Sequence, residues 1–226
     1  MLQRLIEEHG FAIIPNVLAS SNVEHLLAQL EKAPLPHGRA GLRHALRHPS
    51  IDALAKHSRL LDIAREIMGR PAFPFRATVF DKSPTSNWLV VWHQDTALPL
   101  KERREAPGWG PWSVKDGLIY AHAPSSVLSD ILALRVHLDD STPQNGPLRV
   151  LPGSHKNGVL SDGAIHELAA GVPFVDCTSA KGGVLAMKPL LVHSSSKSHA
   201  EPSRRVVHIE YSVSRTVADG FELATA

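Results

Sequence analysis

His93 and Asp95 sit two residues apart in Trp92-His93-Gln94-Asp95, and a third residue of matching chemistry, His193, follows a hundred positions later in Leu190-Leu191-Val192-His193. The apolar run Leu89 to Trp92 reads as a strand. Side chains at i and i+2 of a strand leave the same face, so one imidazole and one carboxylate are offered side by side to a single ion. With His193 as the remaining ligand, two histidines and one carboxylate occupy one face of a metal and leave its other positions open, an arrangement that suits iron(II) and O2. Arg204 comes eleven residues after His193. An iron centre that activates O2 needs two electrons beyond those its substrate gives, and oxidative decarboxylation of a 2-oxo acid supplies them. Such an acid chelates the metal at its keto end and leaves a distal carboxylate, which a guanidinium fork grips bidentately. A hydroxyl such as Ser195 or Thr78 could add a hydrogen bond.

Each assignment has a plainer competitor. A His-x-Asp triplet recurs by chance in a chain with 14 histidines. Arg204 could be a surface arginine paired with Glu201 or Glu210, although Arg205, on the opposite strand face, suits that role better. His199 lies in a Ser/Lys/Glu loop and reads as solvated. His208 shares strand parity with Arg204 and would point the same way. Arg135 and His137 share one face of the run 131–138, and that face is either wet or turned into a polar cavity.

The elements that must position these groups change character along the chain. Residues 1–9 read as a short helix stopped by Gly10, and 11–18 as a strand with Pro15 at an edge or bulge. Ser21-Asn22-Val23-Glu24 has capping-box spacing ahead of a helix that ends before Pro34. Residues 34–49 read as an irregular crossing, and 50–68 as one further helical region capped by Gly69. From residue 72 strand-like runs dominate: 73–82, 88–93, 131–138, 148–151, 172–178, 183–188 and 204–214, with a weak helix near 162–170. The expectation is a single α+β, mainly β domain over 1–226. Residues 1–70 would be helical support, and 71–226 a double-stranded β-helix (jelly roll, cupin-like) that brings an early and a late strand together at its mouth.

Composition sets the outer bounds. The chain has 226 residues, enough for a sizeable core, and a formal net charge of only +2. No basic stripe argues for nucleic acid. The single cysteine, Cys177, excludes an intramolecular disulfide and reads as a small buried hydrophobe in a strand. No run of about 18 apolar residues argues for a membrane span, and the acidic N-terminus lacks a signal-peptide pattern, so a cytoplasmic protein acting on a small molecule is expected.

Several pieces together resemble the phytanoyl-CoA dioxygenase family, a branch of the Fe(II)/2-oxoglutarate-dependent oxygenases. They are Gly10 to Leu18, His93-Gln94-Asp95, Asn145-Gly146-Pro147-Leu148, Leu151-Pro152-Gly153-Ser154-His155, His193-Ser194-Ser195 and Arg204-Arg205. The resemblance covers most of the chain. It implies iron ligation by His93, Asp95 and His193, and binding of the distal carboxylate of 2-oxoglutarate by Arg204 with Ser195 as helper. Thr78 and Arg135 are further candidates for co-substrate contact, and Asp81-Lys82 lies in the same neighbourhood. A carboxylate at 95 implies oxygenation, because related halogenases carry a small residue there. Asn145-Gly146-Pro147 and Pro152-Gly153 read as turn chemistry, with His155 structural.

The family says least about 98–127, read here as a Pro/Gly/Trp-rich loop. Loops on a rigid barrel carry substrate selection, so Trp109, Trp112 and Tyr120 are expected to line or cover the substrate site. The alternative is that the tryptophans plug the barrel mouth as core. Lys101, Arg103, Arg104 and Lys115 could meet an anionic substrate or simply be solvated. A cupin-like hydrolase or isomerase using zinc or manganese in the same triad stays open on the residues alone, as does a binding barrel without activity.

Overall fold

Alternation along two long strands sorts the side chains into two layers. The computed structural model describes residues 1–32, 41–83, 86–200 and 203–226. Helices α1 (Leu2–His9), α2 (Ser20–Lys32), α3 (Pro49–Ala55) and α4 (Ser58–Met68) precede or flank a sheet of five strands. These are β1 (Phe11–Ile14), β2 (Phe73–Lys82), β7 (Ile131–His137), β10 (Val184–Met187) and β12 (Arg204–Ser212), in the order β1-β10-β7-β12-β2. A second sheet runs β3 (Val90–His93), β11 (His193–Ser195), β8 (Leu148–Val150) and β9 (Val175–Cys177). All of these pairings are antiparallel.

Leu132, Leu134 and Val136 of β7 and Val207, Ile209 and Tyr211 of β12 face the helices, where they meet Val23, Ile51, Leu60 and Ala64 in the main core. Each fully buried aliphatic there contributes about 1.5–3 kcal/mol. The intervening residues face the second sheet. Ala133, Leu185 and Met187 meet Leu148, Val150 and Cys177 between the sheets. This is the jelly roll expected, with the helices on one outer face.

Boundaries differ where local chemistry was misread. The helical region 50–68 is two helices, because His57 takes an extended backbone and its ring accepts the Arg59 N–H (3.3 Å). The strand expected over 11–18 ends at Ile14, and Asn16 takes a left-handed conformation. Of the irregular crossing 34–49, residues 34–40 lie outside the described residues, as does Glu201. The stretch 98–127 is not a loop. It carries β4 (Ala97–Leu100), β5 (Trp112–Lys115) and β6 (Leu118–His122) as a sheet of order β4-β6-β5, followed by α5 (Ser125–Leu128). The turn between β5 and β6 is Asp116-Gly117, both at positive φ, the two-residue hairpin signal that the reading passed over. Helix α6 (Asp162–Gly171) lies where the weak helix was expected.

Candidate metal centre and anion pocket

The second sheet sets the three metal candidates against one another. His193 on β11 pairs directly with His93 on β3, and their ring centroids stand 4.2 Å apart. Asp95 lies beyond the end of β3, in the turn that follows, where its N–H donates to Pro189 O (2.9 Å). The carboxylate therefore reaches His93 through the segment 94–96 that joins β3 to β4, and not through the pleat of one strand as parity suggested. His193 opens β11, directly after the apolar run Leu190 to Val192. Asp95 Oδ1 is 3.7 Å from His93 Nε2, and Oδ2 is 3.6 Å from His193 Nε2. One ligand atom from each residue falls within 4.8 Å of the others.

Both rings are fixed from behind. His93 Nδ1 sits 2.8 Å from Val91 O and His193 Nδ1 2.8 Å from Leu191 O, so each Nδ1–H has a carbonyl to donate to and each Nε2 is left for a metal. Burial pushes the His193 imidazole down to about 3, against the pull of Asp95. Burial alone would raise the Asp95 carboxyl, but His193, His93, His208 and Arg76 outweigh it and hold it well below the usual carboxylate range. A neutral imidazole and an ionised carboxylate are the forms that ligate.

Gln94, between the two ligands, escaped the sequence reading. Its side chain is buried. It donates to Gly158 O (2.8 Å) and Leu190 O (2.7 Å) and accepts from Leu160 N (2.8 Å). It thus ties the Asp95 turn to the segment that leads into His193. Ser154 of the Pro-Gly-Ser-His element does related work, accepting the Val192 N–H (2.8 Å) one residue before His193. His155 packs beside Gly10, away from the triad. Gln94→Leu, which leaves one buried and two partly buried backbone groups without this partner, is expected to cost roughly 1–3 kcal/mol in urea unfolding and to weaken iron affinity at least about ten-fold. Unchanged values on both counts would show that the clamp is dispensable.

Away from the triad, the inner faces of β2, β7 and β12 carry cations with few counter-charges. Arg204 and Lys82 are register partners, as are His208 and Thr78, and His208 and Arg135. All of these but Thr78 are buried, which settles the Arg135/His137 face as interior. Arg204 Nε donates to Asn145 O (3.1 Å), and no carboxylate pairs with Arg204 among the described residues. Glu210, its suggested partner, is paired with Arg76 instead. Arg205 takes the outer role, bound to Asp139 through Nε (2.8 Å) and Nη2 (2.9 Å).

Lys82 Nζ donates to Ser195 Oγ (2.6 Å) and Ser196 O, while Ser195 Oγ donates to Gly146 O (2.9 Å). A Cβ on Gly146, which sits at positive φ, would meet Ser196 O at 2.4 Å, so the Asn-Gly turn holds both Arg204 and Ser195 from the backbone. Lys82 shares its face of β2 with Thr78, four residues before it. Arg135 Nε and both ring nitrogens of His137 are buried without a hydrogen-bond partner. Buried orphans of this kind beside unpaired cations fit a polar anionic ligand. Burial, then the Arg204, Arg135 and Arg149 charges, pushes the Lys82 ammonium down to about 7.

The remaining candidates divide. Trp109 stands in a separate apolar cluster, packed on Phe221 at 4.4 Å, with its Nε1 donating to Asp219 Oδ2 (2.9 Å). Trp112 leans on the same Phe221 and on Arg103. Both tryptophans therefore pack in this apolar cluster, and Trp112 lies on the face of the small sheet opposite Tyr120. Tyr120 faces the other way, with its hydroxyl 2.9 Å from His44 Nε2 and its ring under Arg76.

Comparison with known proteins supplies the remaining evidence. The family model for phytanoyl-CoA dioxygenase matches residues 6–206. An L-proline trans-4-hydroxylase from Streptomyces griseoviridis is 25% identical over 89% of this chain and 82% of its own length. An ectoine dioxygenase from Stutzerimonas stutzeri is 25% identical over 71% of this chain, and the match spans only 52% of that protein. The crystal structure of EctD from S. alaskensis with 2-oxoglutarate and 5-hydroxyectoine superposes with a TM-score of 0.71 at 21% identity, covering 93% of this chain and 74% of that one, a likeness of fold.

Proposed function

The chain belongs to the phytanoyl-CoA dioxygenase family of Fe(II)/2-oxoglutarate-dependent oxygenases, and from that premise we propose that it hydroxylates a C–H bond of a small organic substrate, with release of succinate and carbon dioxide. The observation that carries the reading is the pairing of two sites through one strand. His193 belongs to the metal triad, and Ser195, two residues on, is bonded to Lys82, the register partner of Arg204. Iron(II), held by His93, Asp95 and His193, would supply the activation of O2. The protein's own work is positional. Arg204 and Lys82, with Ser195 between Lys82 and the Gly146 carbonyl, hold the distal carboxylate of 2-oxoglutarate, and Arg135 and His137 present further donors. Thr78 lies on the same inner face. The zinc- or manganese-dependent hydrolase left open by the residue set alone has no use for Arg204 and Lys82, buried cations that form no ion pair among the described residues. Cytoplasmic residence suits Cys177, buried and with its thiol pushed up to about 12 by burial; among the described residues no helix is long and apolar enough to cross a membrane.

Anaerobic addition of 2-oxoglutarate to the Fe(II)-loaded protein should produce the visible metal-to-ligand charge-transfer band of a chelated keto acid. Absence of the band at saturation, with turnover that does not need O2, would return the hydrolase reading. The sign of the pH effect follows from Lys82. The free protein loses that proton near pH 7, and a bound carboxylate favours the charged form, so binding takes up a proton above that pH. The dissociation constant for 2-oxoglutarate should therefore rise, by up to about ten-fold per pH unit, as pH climbs above about 7. Lys82→Met should flatten that slope in a titration by calorimetry.

A further inference from the structure

Four basic residues lie in 98–127, and the structure separates one from the others. Lys101 pairs with Glu222, Arg103 with Glu105 (3.1 Å) and Arg104 with Glu102 (3.6 Å), all well exposed. Lys115 pairs with no carboxylate among the described residues. It is half-buried, and its ammonium stands 4.9 Å over the Tyr120 ring.

Register fixes the side it faces. Residues opposite one another in an antiparallel pair share a face. The pairs Lys115–Leu118, Ser113–Tyr120, Pro99–Tyr120 and Ala97–His122 place Lys115, Tyr120 and His122 on one face of the small sheet. Leu98, Trp112 and Ala121 occupy the other, in the core. The polar face adjoins the metal turn: His122 Nδ1 lies 2.7 Å from Thr96 Oγ1, next to Asp95, and Arg76 donates to Ala97 O (2.7 Å) while standing 5.9 Å over the Tyr120 ring. Arg76 already has Glu210 as its counter-ion. Lys115 forms no ion pair among the described residues; burial and the neighbouring Arg76 and Arg43 charges disfavour its charged form, opposed only by the weaker pull of Asp95. Withdrawing an ammonium from water beside other cations is unfavourable until an anion joins it. Arg76 and Lys82 are six residues apart on the inner face of β2, or about 20 Å, so this wall is distinct from the Arg204 end.

We propose that the substrate is a small carboxylate whose anionic end binds Lys115 beside Tyr120, presenting its C–H bonds to the His93–Asp95–His193 centre. The assignment rests on the function given above but is tested apart from it, by binding to metal-free protein. The probes are L-proline, L-leucine and hexanoate, each with its primary amide, followed by calorimetry. At least one acid should bind saturably, and its amide at least about ten-fold more weakly, the ~1.4 kcal/mol of one charge-assisted contact. Lys115→Met should weaken the acid by the same factor and Lys115→Arg should restore it, whereas Arg204→Gln should leave it unchanged. Lys115→Gln serves if the methionine variant folds poorly. Equal binding of acid and amide, loss in Arg204→Gln with retention in Lys115→Met, or no saturable binding of any acid would overturn the proposal. If 2-oxoglutarate gives no charge-transfer band while an acid still binds through Lys115, the functional reading falls and this site stands.

Discussion

His193→Ala is expected to leave the protein folded and without iron. The ring supplies one of three ligand atoms, and its loss leaves Asp95 and His93 as a two-point site. Removing even a supporting partner of a metal ligand costs 10–100-fold in affinity or activity, so loss of the ligand itself should exceed about 100-fold in both. The backbone of β11 stays paired to β3 and β8, because those bonds do not involve the ring. What the fold loses is the packing of one buried ring against His93 and one neutral hydrogen bond, Nδ1 to Leu191 O, the latter worth about 1 kcal/mol. Metal analysis after anaerobic reconstitution, beside a melting curve, separates the two effects. The exposed His199→Ala variant is the control, with iron content expected to be unchanged. A His193→Ala protein that still carries one iron per chain would remove that histidine from the centre.

Arg204→Leu should move binding and stability in opposite directions. A buried cation facing a carboxylate is worth roughly 2–4 kcal/mol when the partner is present, or about 30- to 1,000-fold in the dissociation constant of 2-oxoglutarate. In the free protein the same guanidinium is a burden. It is desolvated and repels Arg135 and Lys82, and the weaker pull of Asp139, which Arg205 holds, does not offset this. Replacing an uncompensated buried charge with an apolar side chain is often neutral or stabilising, so the melting temperature should hold or rise. A fall of several degrees with 2-oxoglutarate binding intact would make Arg204 a structural residue and leave the distal carboxylate to Lys82 and Arg135. The trade expected here, stability given up for a charged pocket, is the ordinary cost of a binding site.

How much of this was legible depended on the range of the interaction involved. His93, Asp95, His193 and Arg204 could be named because their chemistry is rare in combination and their order along the chain is that of a familiar family. The strand 73–82 could be bounded, and that expected over 204–214 placed to within two residues of its end at Ser212, because alternation is a local property, written in consecutive residues. The helices of the first 70 residues were visible for the same reason, down to the glycine caps at 10 and 69. The hairpin at Asp116-Gly117 was local too, and was missed only because the tryptophans around it suggested a loop.

Other features lay beyond any local reading. Gln94 acts through the carbonyls of Gly158 and Leu190 and the N–H of Leu160, groups 64 to 96 residues away that any sequence would possess. Lys82 faces Arg204 because β2 and β12 happen to be neighbours in this register, and a shift of one residue would turn both side chains outward. Lys115 is set apart from Lys101, Arg103 and Arg104 by the face it occupies, its burial and the lack of an ion pair among the described residues. The sequence by itself therefore determined which atoms could bind a metal and a carboxylate, because that follows from side-chain chemistry. Tertiary structure alone decided which cations lack partners and which residues hold the ligands in place, because counter-charge and burial depend on segments far apart in the chain.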